Sequence, residues 1–212
     1  MKRKKDGDLI IVSGPSGAGK DTIVSELLKK RRDIYLSISM TTRDKREYEK
    51  DGKDYYFVDE DTFIKNIEND NFIEYAKVYD KYYGTPKNEV INRLNNGIDV
   101  VLVIDITGAL NIKKQFPNGI FIFIMPPDLK TLMKRIIERN SDSKEKMIKR
   151  FKTDYKLINE YSKYNYVVVN DNILDAVNKV DAILTSNKCS VDRIEDLELD
   201  NEEEIVHEFL IG

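Results

Sequence analysis

The stretch Gly14-Pro15-Ser16-Gly17-Ala18-Gly19-Lys20 constrains this chain more than any other, because of what stands on either side of it. Leu9–Ser13 (LIIVS) is a short, apolar, β-rich run that stops at the glycine, the pattern of a buried parallel strand. From Lys20 the apolar residues Ile23, Val24, Leu27 and Leu28 return at helical spacing, so a helix follows at once. Strand, glycine loop and helix in that order predict a phosphate cradle. Glycines let backbone N–H groups wrap around phosphate oxygens, the helix N-terminus adds positive dipole, and the lysine reaches the outer phosphates. The plainer reading is a glycine-rich turn that only begins a helix; the order of the three elements decides against it. One position departs from the pattern. Ser or Thr is wanted after the lysine, and Asp21 stands there.

Three further apolar runs repeat the theme. Val100–Ile104 is followed by helical spacing from Ala109 to Lys114, Ile120–Met125 by a helix across Leu129–Glu138, and Tyr166–Val169 by another across Leu174–Leu184. Apolar strands alternating with amphipathic helices predict a parallel sheet covered on both faces. Residues 36–97 break the rhythm: they are rich in Tyr, Asp, Lys and Asn and contain alternating pieces such as Tyr55-Tyr56-Phe57-Val58. They read as an inserted, more polar α+β lobe. Residues 139–153 are highly charged, with no apolar face until Phe151, the composition of a flap over a site. The expected division is a core of 1–35 and 98–186, with a lid at about 139–153, a lobe of 36–97 and a tail of 187–212.

Composition narrows the chemistry. One cysteine, Cys189, excludes a disulfide framework and a Cys-rich zinc site, and one histidine, His207, makes histidine catalysis improbable. No apolar run nears the roughly 20 residues that span a bilayer, and the start of the chain is charged, so a cytoplasmic protein away from membranes is expected. The formal net charge of −3 argues against a general nucleic-acid binder. Its distribution says more: residues 187–212 carry nine acids against two bases, which leaves the rest of the chain at +4 and suited to anionic small ligands. In the tail, Ile194, Leu197, Ile205, Val206, Phe209 and Leu210 among the acids fit either a short amphipathic helix or a loosely docked or disordered end.

A set of downstream segments names a reaction. Ser39-Met-Thr-Thr-Arg43-Asp-Lys-Arg46, Gly52-Lys-Asp-Tyr55-Tyr-Phe, Phe72-Ile-Glu74, Tyr82-Tyr83-Gly84-Thr85 and Ile104-Asp105 resemble guanylate kinases in that order and spacing, from about Leu9 to Leu184. The resemblance implies a P-loop α/β fold: a doubly wound, parallel, five-stranded sheet with an inserted α+β GMP-binding lobe and a short helical lid. It implies transfer of the terminal phosphate of ATP to GMP or dGMP, with Mg²⁺ as the metal and a monomer or homodimer as the assembly. By position, Ser39, Arg43, Arg46, Tyr55 and Tyr83 match residues that hold the GMP phosphate, and Glu74, Thr85 and Asp105 those that read the guanine edge. Gly14, Pro15, Ser16, Gly17, Ala18, Gly19, Lys20, Asp21, Thr22 and Asn170 match the ATP side, and Lys20, Arg43, Arg135, Arg139 and Arg150 the catalytic cations. The chemistry agrees: arginine forks suit a dianionic phosphate, and a carboxylate accepts from guanine N1–H and its 2-amino group. Taken singly, the arginines also fit surface ion pairs and the tyrosines core packing.

Departures fall in two places. Lys45 and Tyr48 stand where the family has Pro and Gly, which points to a differently shaped loop after Arg43. Val103 stands where it has an acid and Thr107 where it has Gln; with Asp21, the first of these lies near the expected metal. Asp21 is expected to hold Mg²⁺ through water. Two other readings exist: a kinase of a phosphorylated sugar such as ribose 1,5-bisphosphate, whose loops have a similar Gly-Lys-Asp, and a non-catalytic phosphopeptide-binding module of the same fold. Against the first stand Glu74, Thr85 and Asp105, since a sugar has no base edge to read; against the second stand Lys20 and the lid arginines.

Overall fold

A computed structural model describes residues 2–3, 6–78, 80–138, 144–196, 206 and 209–210, with the side chains of 2–3, 144, 146, 149–150, 192 and 194–196 outside that description. Its elements, in chain order, are β1 (Lys2–Arg3), β2 (Leu9–Ser13), α1 (Lys20–Lys30), β3 (Ile34–Leu36), β4 (Met40–Thr41), β5 (Tyr56–Phe57), α2 (Glu60–Glu68), β6 (Phe72–Val78), β7 (Lys81–Pro86) and α3 (Lys87–Asn95). Then follow β8 (Asp99–Val103), α4 (Ile106–Gln115), β9 (Ile120–Met125), α5 (Leu129–Glu138), α6 (Lys144–Ile158), β10 (Tyr166–Val169), α7 (Ile173–Asn187) and β11 (Ile194–Asp196).

The central sheet has the order β10-β9-β2-β8-β3, with every neighbouring pair parallel. Period-two alternation explains why its strands are apolar throughout. In β2, Ile10 and Val12 pack on one side with Val24 and Leu27 of α1 and Val177 and Val180 of α7. Leu9 and Ile11 pack on the other with Val90 and Leu94 of α3 and Ala109 and Ile112 of α4. Leu27 is fully buried; enclosing a side chain of that size contributes about 1.5–3 kcal/mol. Strand order reverses about β2, so the phosphate loop leaves the sheet at its centre, where the carboxyl ends of the strands open a crevice.

Several local boundaries differ from the sequence reading for physical reasons. β3 pairs with β8 through Leu36↔Val101, so the core sheet takes one residue past 35, and α3 inside 36–97 lays Val90 and Leu94 on the core sheet. α4 begins at Ile106, ahead of the periodic apolar positions, because Asp105 caps it by accepting from the N–H groups of Thr107 and Gly108.

Between β3 and α3 stands a second sheet, β5-β4-β7-β6, antiparallel except for the β4–β5 pair, with α2 against it. Its centre is aromatic: fully buried Phe63 of α2 stacks on Phe72 at 4.6 Å and on Tyr82 at 5.3 Å. The start of the tail is docked on the core. Lys188 reaches Asp33 and Asp99 at 3.0 Å each and Arg193 reaches Asp8 at 2.9 Å, so its two bases bind the acids at the amino ends of the core strands. Ile194 lies in β11, antiparallel to β1, rather than in a helix. Val206, Phe209 and Leu210 are helical and exposed, while Leu197 and Ile205 lie outside the described residues. Among the described residues no helix is long and apolar enough to cross a membrane.

Candidate functional site

The phosphate loop is shaped by what presses on it. Gly14 has φ +147° and Gly19, which begins α1, has φ +93°; a Cβ at either would collide, with the Ile124 carbonyl at Gly14 and the Asn170 amide at Gly19. Asn170 follows β10 and is fully buried, its Nδ2 donating to Ala18 O at 2.7 Å and its N–H to Met125 O at 2.8 Å. Its side chain thus stands behind the loop and outside the cavity lining, and it holds the loop's shape. Arg135 of α5 donates to Asn170 O at 3.3 and 3.4 Å, while Leu132 and Ile136 of the same helix are buried beside Gly17. Lys20 Nζ bends back to Gly14 O at 2.8 Å and Pro15 O at 3.1 Å, across the mouth of the loop. Ser16 N–H donates to Asp154 Oδ2 of α6 at 3.0 Å.

One cavity of about 270 Å³ joins this loop to the second sheet. Gly14, Ser16, Lys20 and Asp21 line it on one side, and Ser39, Arg43, Arg46, Tyr55, Glu74, Tyr83 and Asp105 on the other. Eleven residues singled out across nearly a hundred positions of sequence therefore face a single space. Of the others, Pro15, Gly17 and Ala18 are buried in the loop, Thr22 is exposed on α1, and Thr85 is fully buried behind Glu74. Arg139 lies outside the described residues; the backbone of Arg150 lies in α6 and its side chain is not described.

The second-sheet side is built on paired charges. Arg43 donates from its two terminal nitrogens to Glu49 at 2.9 and 2.8 Å, a fork-to-fork pair, and its Cζ stands 5.3 Å from the Tyr55 ring centre and 5.6 Å from that of Phe57. Glu49 also accepts from the Arg46 N–H at 2.8 Å. Burial works against the Glu49 charge, yet the Arg43 fork and the Arg46 N–H outweigh it and hold the carboxyl below its usual range. Tyr48 is exposed in the turn that the Glu49 N–H closes by donating to Arg46 O at 3.1 Å. Tyr55 and Tyr83 meet edge to face at 6.1 Å, and burial pushes the Tyr55 hydroxyl up, so it stays a donor.

Deeper in, Glu74 of β6 accepts from Thr85 Oγ1 at 2.8 Å. Burial pushes its carboxyl up to about 8, with the Thr85 hydrogen bond opposing and Asp105 adding to the rise. Gly108 leaves room for it, since a Cβ there would stand 2.5 Å from Glu74 Oε2. Asp105 turns Oδ1 to the amides of Thr107 and Gly108 at 2.7 and 3.2 Å, capping α4 while lining the cavity. Two acids of the site were not among those singled out in the sequence: Glu49, which fixes Arg43, and Asp154, which touches the loop.

Among the described residues no cluster of three or more His, Cys, Asp or Glu side chains could hold a metal by itself. Asp21, exposed in the first turn of α1 and lining the cavity next to Lys20, offers one carboxylate. That donor set fits Mg²⁺, which keeps several waters and takes one or two carboxylates together with substrate phosphates.

Comparison with known proteins agrees with this architecture. A family model described as guanylate kinase matches residues 6–187. The chain is 54% identical to the guanylate kinase of Caldanaerobacter subterraneus subsp. tengcongensis, over 97% of its own length and 100% of the relative's. It is 50% identical to that of Clostridium acetobutylicum, over 96% and 97%. The crystal structure of guanylate kinase from Anaplasma phagocytophilum superposes with a TM-score of 0.77 at 31% identity, covering 90% of this chain and 91% of that one. With half its residues shared along nearly the full length of these enzymes, the chain belongs to the guanylate kinase family.

Proposed function

We infer that this protein is an ATP:GMP phosphotransferase, catalysing ATP + GMP ⇌ ADP + GDP. The observation that carries the reading is the single cavity in which the phosphate loop faces Arg43, Arg46, Tyr55 and Tyr83, with the buried Glu74 beyond them. Two phosphate-binding surfaces opening on one space suit direct transfer between two nucleotides, and an acid inside suits a base edge. A sugar phosphate has no base edge for Glu74 to read.

Phosphoryl transfer asks little covalent chemistry of a protein and much positioning of charge. In this reading the loop amides and Lys20 hold the donor phosphates, while Ser39, Arg43, Arg46, Tyr55 and Tyr83 hold the phosphate of GMP. Glu74, backed by Thr85, and Asp105 accept from guanine N1–H and N2–H₂. Arg135, Arg139 and Arg150 are proposed to add charge from the lid side. Mg²⁺, held by Asp21 through water, would neutralise charge on the donor phosphates. The segment 37–86 serves as the GMP lobe and α6 as part of the lid; the cytoplasm, where ATP and GMP meet, is the expected setting. The test is an ADP-release assay on the purified chain with GMP, dGMP, AMP, UMP, CMP and ribose 1,5-bisphosphate as acceptors. Turnover with GMP or dGMP alone supports the reading, and turnover with the sugar bisphosphate instead would overturn it.

A further inference from the structure

The lid helix α6 brings Thr153, Asp154 and Leu157 to the same cavity, one face of the helix at spacings of one, three and four. Of these Asp154 is the buried one, 6% exposed, and its Oδ2 accepts from the Ser16 N–H at 3.0 Å. Ser16 is a residue of the phosphate loop and lines the cavity beside Gly14 and Lys20. A carboxylate oxygen and a phosphate oxygen are the same kind of acceptor to a backbone N–H, anionic and able to take a charge-assisted bond. Ile136 of α5 and Leu157, one turn on, line the same cavity with Thr153. Burying an acid there is costly unless its charge is met, and the loop amide helps to meet it.

We propose that Asp154 is an internal competitor for the phosphate cradle: its carboxylate holds the Ser16 amide, and a nucleotide phosphate seats by displacing it and moving α6 with it. The proposal rests on the reading of residues 14–20 as the donor-phosphate site. It makes Asp154 a residue that sets ATP affinity, since phosphate and carboxylate exclude each other by geometry and by like charge. Arrival of the donor then unlatches the lid helix, and departure of ADP lets the carboxylate return, which favours product release. The apparent affinity of such a site falls by the fraction of molecules whose cradle is open; one open in about ten weakens binding about tenfold.

The experiment compares the full chain with Asp154→Ala and the near-isosteric Asp154→Asn. Calorimetric titration with ADP and separately with inorganic pyrophosphate gives Kd, and hydrogen exchange at the Ser16 amide, without nucleotide, reports the latch. The expected result is a Kd for both probes lowered about tenfold in Asp154→Ala, in the same direction in Asp154→Asn, with faster exchange at Ser16 in Asp154→Ala. A Kd unchanged or raised in both variants overturns the proposal. So does a lowered Kd with Ser16 exchange unchanged, because relief of charge repulsion then accounts for the gain without a latch. Neither probe involves GMP, so an enzyme inactive toward GMP would still give the expected result. Failure of both probes to bind any form would overturn the loop reading and the proposal together.

Discussion

Thr85 Oγ1 donates to Glu74 Oε1 across 2.8 Å, with both residues buried, so this acid of the cavity is held by a neutral hydroxyl. Burial, with Asp105 adding to it, outweighs that hydrogen bond and raises the carboxyl from 4.5 to about 8. The unfolded chain loses this proton near the ordinary value while the folded chain keeps it, so stability falls as pH rises from about 4.5 to about 8. The effect is on the order of a few kcal/mol. Urea unfolding across that window should show the decline in the parent chain, and Glu74→Gln should flatten it. A parent chain with pH-independent stability there would refute the assignment.

The same proton bears on substrate. Guanine N1–H and N2–H₂ are donors and need the carboxylate form, so GMP binding at pH 7 should release a proton. Calorimetry in buffers of different ionisation enthalpy measures that release, and Glu74→Gln should abolish it. AMP offers neither of these donors, which leaves the acid only partly paired, and rejection can reach about 10⁴-fold in kcat/KM. Equal kcat/KM for the two nucleotides would remove Glu74 and Asp105 from the base site.

Lys20 and Tyr55 line the cavity from opposite sides and should fail differently. Lys20→Ala is expected to depress kcat, at a cost of about 2–4 kcal/mol of transition-state stabilisation. Tyr55→Phe keeps the ring under the Arg43 guanidinium and removes one hydroxyl, so it should raise KM for GMP with kcat little changed. Steady-state kinetics with each substrate varied separates the two; full kcat in Lys20→Ala would end the catalytic reading of the loop.

Glu49→Gln tests the support behind Arg43. The substitution halves a buried, two-bond ion pair and leaves the guanidinium without its fixed partner. Expected outcomes are a raised KM for GMP and a loss of stability of about 1–3 kcal/mol. If KM for GMP did not change, Glu49 would be a structural ion pair only.

Asp21→Ala should raise the Mg²⁺ concentration needed for half-maximal rate, with Asp21→Asn milder. As a helix-start residue alone, Asp21 would contribute about 0.3–1 kcal/mol of stability and leave the Mg²⁺ titration where it was. An unchanged titration in Asp21→Ala therefore defeats the metal role.

What sequence alone revealed follows from how local each feature is. β2, β9 and α5 were legible to the residue because an apolar run of one period declares itself. Ile34–Leu36 was not: three residues are too few for a period, and only pairing with the distant β8 makes them a strand. The cavity-lining residues of the lobe were legible as a family pattern, not as chemistry, since arginines and tyrosines taken singly fit surface or core. Glu49 and Asp154 lie in charged stretches where nothing in the sequence says which acid points inward. The turn at Arg46–Glu49 and the packing of α6 decide that.

The central position of β2 also bears on how the protein is made. It leaves the ribosome before both of its neighbours, β8 from Asp99 and β9 from Ile120. Until then Leu9–Ser13 is a nascent apolar segment with two open edges, the kind that invites pairing with other chains. Closure of the core must wait for Ile120–Met125, and the pairing of β1 with β11 for Ile194–Asp196. The strand that carries the glycine loop thus stays open on both edges until β8 and then β9 are made, and the cavity beside it is complete only once α6 follows.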